Sequence, residues 1–562
     1  MNGIRLFLIL SGFAFILFVN NVLAQNPPQT AIATSHPLAS KAGMEIMRQG
    51  GNAFDAAVTV ASVLAVVEPY NSGLGGGGFW LLEDRRKGNT RKVVIDARER
   101  APLRATQDMF MAGEIPSMLA KEGALAAAIP GEVAGIVYLA YNYGNLALEK
   151  TLAPAIQFAE NGFPVDEIFI KKIKTHQSLL EKFPATKAIF IPHDQIPTLG
   201  TSLKQPALAE VLKIIAKEGH SGFYTGLIAN KLVKDVKQNG GIWSLDDLKH
   251  YQVNIREPIK RQYHDMNITT VGLPSAGGIA LLTALNILSE FELDGLSDAD
   301  HKHLIVESLR RASCDRARYL GDPDFVSVDE KKLLSKEHAD NLRETISINH
   351  ATSSGSLACG EAAKEDNHTT HYSILDQQGN SVSATLTINS QFGSGVIAEG
   401  TGILLNNEMD DFALTTGASN KDGLIGHSGN LIAPRKRPLS SMTPLFFENT
   451  QGMGILGTAG GSRIPSMMLI ALLRADEEYL PQTWVMTPRF GHQYLPDAIF
   501  FEPEAFSIPL QNALKIRGHH LQQTNEAYGD MQAIFWDKKK NRVYAEADPR
   551  GHGLALVETL AH

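Results

Sequence analysis

The sequence predicts an α+β fold, and three features of the 562-residue chain carry that prediction. Residues from about 35 to 350 are rich in alanine and in apolar residues at helical spacing, interrupted by a few strand-like runs. Residues 351–367, "ATSSGSLACGEAAKEDN", are small and polar, bury almost nothing, and read as a linker or mobile loop. After them the character turns to β: "HYSILD", a turn "QQGN" and "SVSATLTIN" (381–389) predict a hairpin.

Taken in order, the first 24 residues have a job of their own. Arg5 precedes an apolar run, "LFLILSGFAFILFV", of signal-peptide length, and "VLA" at 22–24 offers small residues for cleavage after Ala24. The alternative is an uncleaved membrane anchor, although the run falls short of the roughly 20 residues that a bilayer span needs. "SHPLASKAGMEIMRQGG" spaces its apolar residues as a helix and stops at a Gly pair. Asn52 then caps "AFDAAVTVASVLAVV", with Asp55 in the first turn, and this helix is apolar nearly all round and so buried.

"SGLGGGGFWLLED" (72–84) contains a G-x-G-x-x-G match at Gly73, Gly75 and Gly78. A phosphate-binding loop follows a strand and opens a helix, whereas here a helix precedes and a strand follows. The glycines therefore read as a closely packed helix-to-strand turn where a Cβ does not fit. The strand-like "KVVIDARERAP" (92–102) comes next, and "YGNLALEKTLAPAIQFAENGF", "GGIWSLDDLKHYQV" and "HLIVESLRRASCDRARYLGDPDF" are the clearest helical units before the linker.

Composition bounds the partners. With 44% hydrophobic and 20% charged residues the chain can bury a large core, and a formal charge of −8 argues against nucleic acid as a ligand. "PRKR" at 434–437 reads as a short solvated loop cluster. Export permits disulfides, for which Cys314 and Cys359 are the only candidates. Cys314 lies within helical periodicity and reads as a small buried apolar residue, with no motif that would make it a catalytic thiol.

In the second hairpin strand Val382, Ala384, Leu386 and Ile388 share one face, and Ser381, Ser383, Thr385, Thr387 and Asn389 the other. On its own the polar face reads as the solvent side of an antiparallel strand. Just before the hairpin, Thr369 and Thr370 stand between histidines in "DNHTTHYS". A hydroxyl nucleophile needs a base; His371 points the same way as Thr369, but no carboxylate orients it. A threonine can instead use its own α-amino group, of reference pKa about 7.7–8.0, if the chain is cut just before it.

At these residues the sequence resembles the γ-glutamyltransferases, N-terminal-nucleophile hydrolases that cleave themselves at a Thr-Thr-His junction. The resemblance runs in order through "GGNAFDAAVTVASVLAVVEPYNSGLGGGGF" (ending at Phe79), "DARERAP" (96–102), "AIPGEVAG" (128–135), "LAPAIQFAENGF" (152–163) and "YLGDPDF" (319–325). It continues through "TTHYSILD" (369–376), "TLTINSQFGSG" (385–395), "GILLNNEMDDF" (402–412), "RPLSSMTP" (437–444), "TAGGSRI" (458–464) and "ADPR" (547–550).

The resemblance implies a four-layer αββα sandwich made as one chain. It implies self-cleavage between His368 and Thr369, into a large subunit (25–368) and a small subunit (369–562) that together form a heterodimer. It puts the nucleophile at Thr369 and matches Thr387 to a threonine that hydrogen-bonds it. Asn389, Glu408 and Asp411 match a site for the donor's α-amino group; Arg98, Ser440 and Ser441 match a clamp for its α-carboxylate; Gly460 and Gly461 match a backbone oxyanion hole. Taken singly, Arg98 also reads as a surface ion pair and "EMDD" as a solvated turn. As a set these residues complement a zwitterionic glutamyl headgroup bearing an amide at its γ-carbon.

The implied reaction is acyl transfer from glutathione or another γ-glutamyl donor to water, an amino acid or a peptide, with no metal or organic cofactor, in an exported protein that is periplasmic or secreted. Substrates for related members of the fold, β-lactam side chains or poly-γ-glutamate, form the nearest alternative; a non-catalytic relative that binds γ-glutamyl peptides is the other. Two positions depart from many relatives: Ala459 stands where proline precedes the paired glycines, and Glu408 is glutamine in some. Residues 413–432 match the place of a lid and have the Gly, Ser and Asn content of a mobile loop.

Overall fold

Two stacked β-sheets carry helices on both outer faces. In a computed structural model that describes residues 26–86, 88, 90–111, 116–293, 295–357, 359, 368–413 and 428–561, the first sheet has seven strands. Their spatial order is Leu554–Glu558, Thr30–Thr34, Thr370–Leu375, Ser381–Thr387, Gly77–Asp84, Arg91–Ala97 and Asn254–Arg256. The second has six: Arg542–Ala547, Asp530–Asp537, Gly452–Ala459, Leu445–Glu448, Met266–Thr270 and Ile259–Tyr263. The proposed signal peptide (1–24), most of the lid (414–427) and residues 361–367 lie outside the described residues.

Ile32, Trp80, Leu82, Ile95, Tyr372, Ile374, Ala384 and Leu386 point from the first sheet into the helices Ala53–Val67 and Glu132–Tyr143. Ala31, Ala33, Phe79, Leu81 and Leu375 point the other way, onto the second sheet, whose far side carries the helices Gly277–Leu288, Asp298–Tyr319 and Ile464–Glu477. This is the αββα order. The helix Ala53–Val67 is buried at every position and carries a capping box between Asn52 and Asp55, as its sequence predicts. The hairpin also forms as predicted, with Ser381 opposite Leu375 and Thr385 opposite His371.

The glycine run is the tight turn expected of it. A Cβ on Gly75 would lie 2.0 Å from the carbonyl oxygen of Leu404, and one on Gly76 2.1 Å from that of Thr387. No side chain fits there, so this turn packs directly against the end of the Ser381–Thr387 strand.

Four expectations need correction. The polar face of the hairpin is not solvated: Ser373, Ser383 and Thr385 are buried between the sheets, where Ser373 Oγ donates to Gln532 O and Ser383 Oγ to Leu456 O, both at 3.0 Å. The two serine hydroxyls are tolerated there because backbone carbonyls of the facing sheet satisfy them, and Thr385 Oγ1 pairs with His371 Nδ1 at 2.9 Å. "PRKR" is only half solvated, since Lys436 and Arg437 are buried, and Arg437 Nε lies 3.3 Å from Asp96.

Cys314 is not a lone apolar residue: it forms a disulfide with Cys359, their Cα atoms 5.6 Å apart. That bond and its neighbours also strap down the start of the presumed linker. Thr352 N donates to Glu307, Ser354 N to Asp497 and Cys359 N to Tyr494 Oη. Polar residues that bury little are held here by hydrogen bonds.

Candidate active site

Thr369 immediately precedes the strand Thr370–Leu375 in the first sheet and lines a cleft. Arg98, His368, Thr369, Thr387, Asn389, Glu408, Asp411, Ser440, Ser441 and Gly461 all line it. Every predicted site residue except Gly460 is therefore on the cleft wall, and Gly460 touches the nucleophile: its N–H donates to Thr369 Oγ1 at 3.1 Å. His368 lines the cleft beside Thr369, which is only 6% exposed.

Thr387 ends the neighbouring strand with its side chain toward the second sheet. Its hydroxyl donates to the carbonyl oxygen of His368 at 3.3 Å and is oriented by the N–H of Asn389 at 2.8 Å. The expected bond from Thr387 to the nucleophile is absent among the described interactions; in the uncut chain the hydroxyl serves the carbonyl of the expected scissile peptide instead. Asn389 adopts φ +74°, where an asparagine is tolerated, and its amide donates to Asn407 O at 2.9 Å.

Gly460 and Gly461 have φ of +143° and +54°, which favour glycine. Ala459 before them ends the strand Gly452–Ala459, and the helix Ile464–Glu477 follows, so its positive N-terminal end lies beside this loop. The arrangement suits a developing oxyanion.

Arg98 follows the strand Arg91–Ala97 and is 1% exposed, which rules out a surface ion pair. Nη1 lies 2.6 Å from Glu408 and 3.4 Å from Glu99, and Nη2 lies 2.5 Å from Asp411. Nε and Nη2 also donate to the carbonyls of Pro438 and Leu439, each at 3.2 Å, which fixes the plane of the guanidinium. Burial pulls the Arg98 pKa down, but the carboxylates of Glu408, Glu99 and Asp411 outweigh it and raise it. Burial in turn lifts Glu99 to about 7 against the pull of Arg98.

"EMDD" is a buried 3-10 turn, Glu408–Asp411, rather than a solvated one. Asn430 holds it, donating through Nδ2 to Asp411 O at 2.8 Å and accepting from Leu439 N at 3.1 Å. Ser440 and Ser441 lie on the loop that bridges to Ser275, and Ser440 Oγ accepts from Met442 N at 3.2 Å. Sequence reasoning did not assign Glu99 or Asn430. Glu99 adjoins Arg98 within the quoted "DARERAP", a second charge that the sequence alone left without a role.

His371 is fully buried, bonded to Thr385 Oγ1 at 2.9 Å and Ser373 Oγ at 3.2 Å, and backed by Gly457, where a Cβ would lie 2.2 Å from the imidazole. Burial holds its pKa to about 3. A group neutral down to that pH and engaged on both nitrogens is a poor general base for Thr369.

A family model described as gamma-glutamyltranspeptidase matches residues 39–557. The chain is 38% identical over 530 residues to the glutathione hydrolase proenzyme of Escherichia coli (strain K12), covering 93% of this chain and 90% of the relative. It is 35% identical over 549 residues to that of Bacillus subtilis (strain 168), covering 93% and 91%. Among solved structures, a cephalosporin acylase from Bacillus halodurans superposes with a TM-score of 0.83 at 28% identity, over 94% of this chain and 96% of that one. The gamma-glutamyltranspeptidase of Helicobacter pylori does so with a TM-score of 0.54 at 37% identity, over 57% and 92%.

Proposed function

The chain belongs to the γ-glutamyltranspeptidase family, and from that premise we propose that it matures by cutting itself before Thr369 and then transfers γ-glutamyl groups from glutathione or a related donor. One observation carries the substrate reading: beside the Thr369 hydroxyl, the cleft sets a planar cation, Arg98, between the carboxylates of Glu408 and Asp411. An α-amino acid headgroup satisfies both signs at once. Its carboxylate takes the guanidinium fork, its ammonium takes the acids, and the internal ion pairs are exchanged for external ones.

In maturation, Thr369 Oγ1 attacks the His368 carbonyl carbon while the Thr387 hydroxyl stabilises the oxygen. The C–N bond breaks, the nitrogen gains a proton and becomes the free amine of Thr369, and water hydrolyses the resulting ester. In turnover that amine takes the hydroxyl proton as Oγ1 attacks the donor's γ-carbonyl, with the N–H groups of Gly460 and Gly461 at the oxyanion. The leaving amine carries the proton away, and water or an acceptor amine then releases the γ-glutamyl group.

The similarity to a cephalosporin acylase keeps a β-lactam side chain in view as an alternative donor. Such a donor leaves part of the Arg98, Glu408 and Asp411 cluster without a use unless it too carries an amino-acid headgroup. Export, with a signal peptide over residues 1–24, remains part of the proposal; the Cys314–Cys359 disulfide supports it, because such bonds persist in oxidising compartments. The test is incubation of the processed protein with glutathione, with and without an amino-acid acceptor. Release of glutamate and of γ-glutamyl acceptor is expected, and the formation of neither product would overturn the reading.

A further inference from the structure

Glu68 is a buried carboxylate that the mechanism above does not use. It is the C-cap of the helix Ala53–Val67 and 3% exposed. A negative charge at a helix C-terminus faces the negative end of the macrodipole, so helix stability does not explain its presence. Its hydrogen bonds point elsewhere. Oε2 accepts from Thr370 Oγ1 at 2.9 Å and from Ser35 Oγ at 2.7 Å, and those two hydroxyls lie 2.7 Å apart. Oε1 accepts from Asn71 Nδ2 at 3.0 Å, and Asn71 O accepts from the N–H of Ile388, between Thr387 and Asn389.

Glu68 thus ties together the start of the Thr370–Leu375 strand, the end of the Thr30–Thr34 strand and the glycine turn behind the cleft. Thr370 is the residue next to the nucleophile, about 3.8 Å along the chain. While the chain is intact, Thr369 is held from both sides. Once the bond to His368 is cut, its upstream restraint is gone, and Thr370 becomes its only covalent anchor.

Resting on the reading of Thr369 as nucleophile, we infer that Glu68 is a positioning residue for the reaction: through the Thr370 hydroxyl it holds the freed N-terminal threonine in line with the donor's γ-carbonyl carbon. Bonds from hydroxyls to a carboxylate are charge-assisted and directional, which suits them to hold a chain end that has lost its upstream neighbour. The network matters more after cleavage than before it.

The experiment compares wild type with Glu68→Gln, Thr370→Val and Thr370→Ser. It reads subunit formation on a gel, the single-turnover acylation rate with γ-glutamyl-p-nitroanilide, donor affinity, and the location of the γ-glutamyl adduct by peptide mass spectrometry. Glu68→Gln and Thr370→Val should still be cut and should bind donor nearly as wild type, yet acylate on the order of 10²-fold more slowly, the scale of a misplaced reacting group. Thr370→Ser, which keeps the hydroxyl, should recover most of that loss.

Wild-type acylation rates in Glu68→Gln and Thr370→Val, even with lowered thermal stability, would overturn the inference and leave Glu68 a structural cap. Loss of cutting in both would overturn the claim that the network acts after cleavage. A wild-type adduct on any residue other than Thr369 would instead overturn the nucleophile assignment itself, and is distinguished by the mapped peptide.

Discussion

Replacing Arg98 with lysine keeps the charge in the cleft and removes the fork. The guanidinium now reaches Glu408 at 2.6 Å and Asp411 at 2.5 Å while anchored by the Pro438 and Leu439 carbonyls. A lysine ammonium cannot present two parallel donors to a planar carboxylate, so a bound donor loses one charge-assisted hydrogen bond, worth about 1.5–3 kcal/mol. At 1.36 kcal/mol per decade this is roughly 10- to 150-fold in KM, with kcat little changed because the contact is made equally in the ground and transition states.

The assay compares a γ-glutamyl anilide with the matching 4-aminobutyryl anilide, which lacks the α-carboxylate, in wild type and Arg98→Lys, after a gel confirms two subunits. Only the first donor should show the large rise in KM. Equal effects on both donors would refute the contact.

Thr387→Val removes the donor to the His368 carbonyl, and should slow maturation on the order of 10²-fold, the usual cost of one oxyanion donor; processing at the wild-type rate would show the 3.3 Å contact to be idle. Burial holds His371 and His519 to about 3 and His492 to about 4, below the reference value of about 6.5, so the unfolded chain binds more protons across that window. Stability should therefore fall as pH drops from about 6.5 toward 3. His552 works with the opposite sign, because Asp166 outweighs burial and raises it. A Tm that stays flat between pH 7 and 5, with no proton uptake on unfolding, would contradict this balance. Reducing the Cys314–Cys359 disulfide, which spans a sequence separation of 45, should destabilise the folded state by up to about 4 kcal/mol on the chain-entropy account, and an unchanged Tm under reductant would show the bond to be dispensable.

Local signals made much of the architecture legible. The Asn52–Asp55 capping box, the all-apolar helix behind it and the hairpin turn at 377–380 each state their structure in a few adjacent residues. The polar face of the hairpin did not, because alternation shows that Ser383 and Thr385 share a side but not what lies opposite. Only the stacking of a second sheet, from residues more than 50 positions away, shows that the carbonyls of Leu456 and Gln532 receive the hydroxyls of Ser383 and Ser373.

The site was legible as a set of residue types matched to a family pattern, and the cleft gathers that set. Its internal wiring was not. That Thr387 serves the His368 carbonyl, that Arg98 is already paired with Glu408 and Asp411, and that His371 is walled in by Gly457 all depend on distances between segments far apart in sequence. The disulfide was legible only as a candidate pair, because helical periodicity around Cys314 explains its burial without reference to Cys359.

The central claim is that Thr369 is first the agent of cleavage and then the nucleophile. The most direct measurement is intact-mass analysis and N-terminal sequencing of purified wild-type protein and Thr369→Ala, alongside γ-glutamyl anilide turnover. Wild type should give two chains, the smaller beginning at Thr369, and active enzyme, whereas Thr369→Ala should give one uncut, inactive chain. A small chain beginning at Thr370, or a Thr369→Ala protein that still cuts itself and turns over donor, would contradict the account.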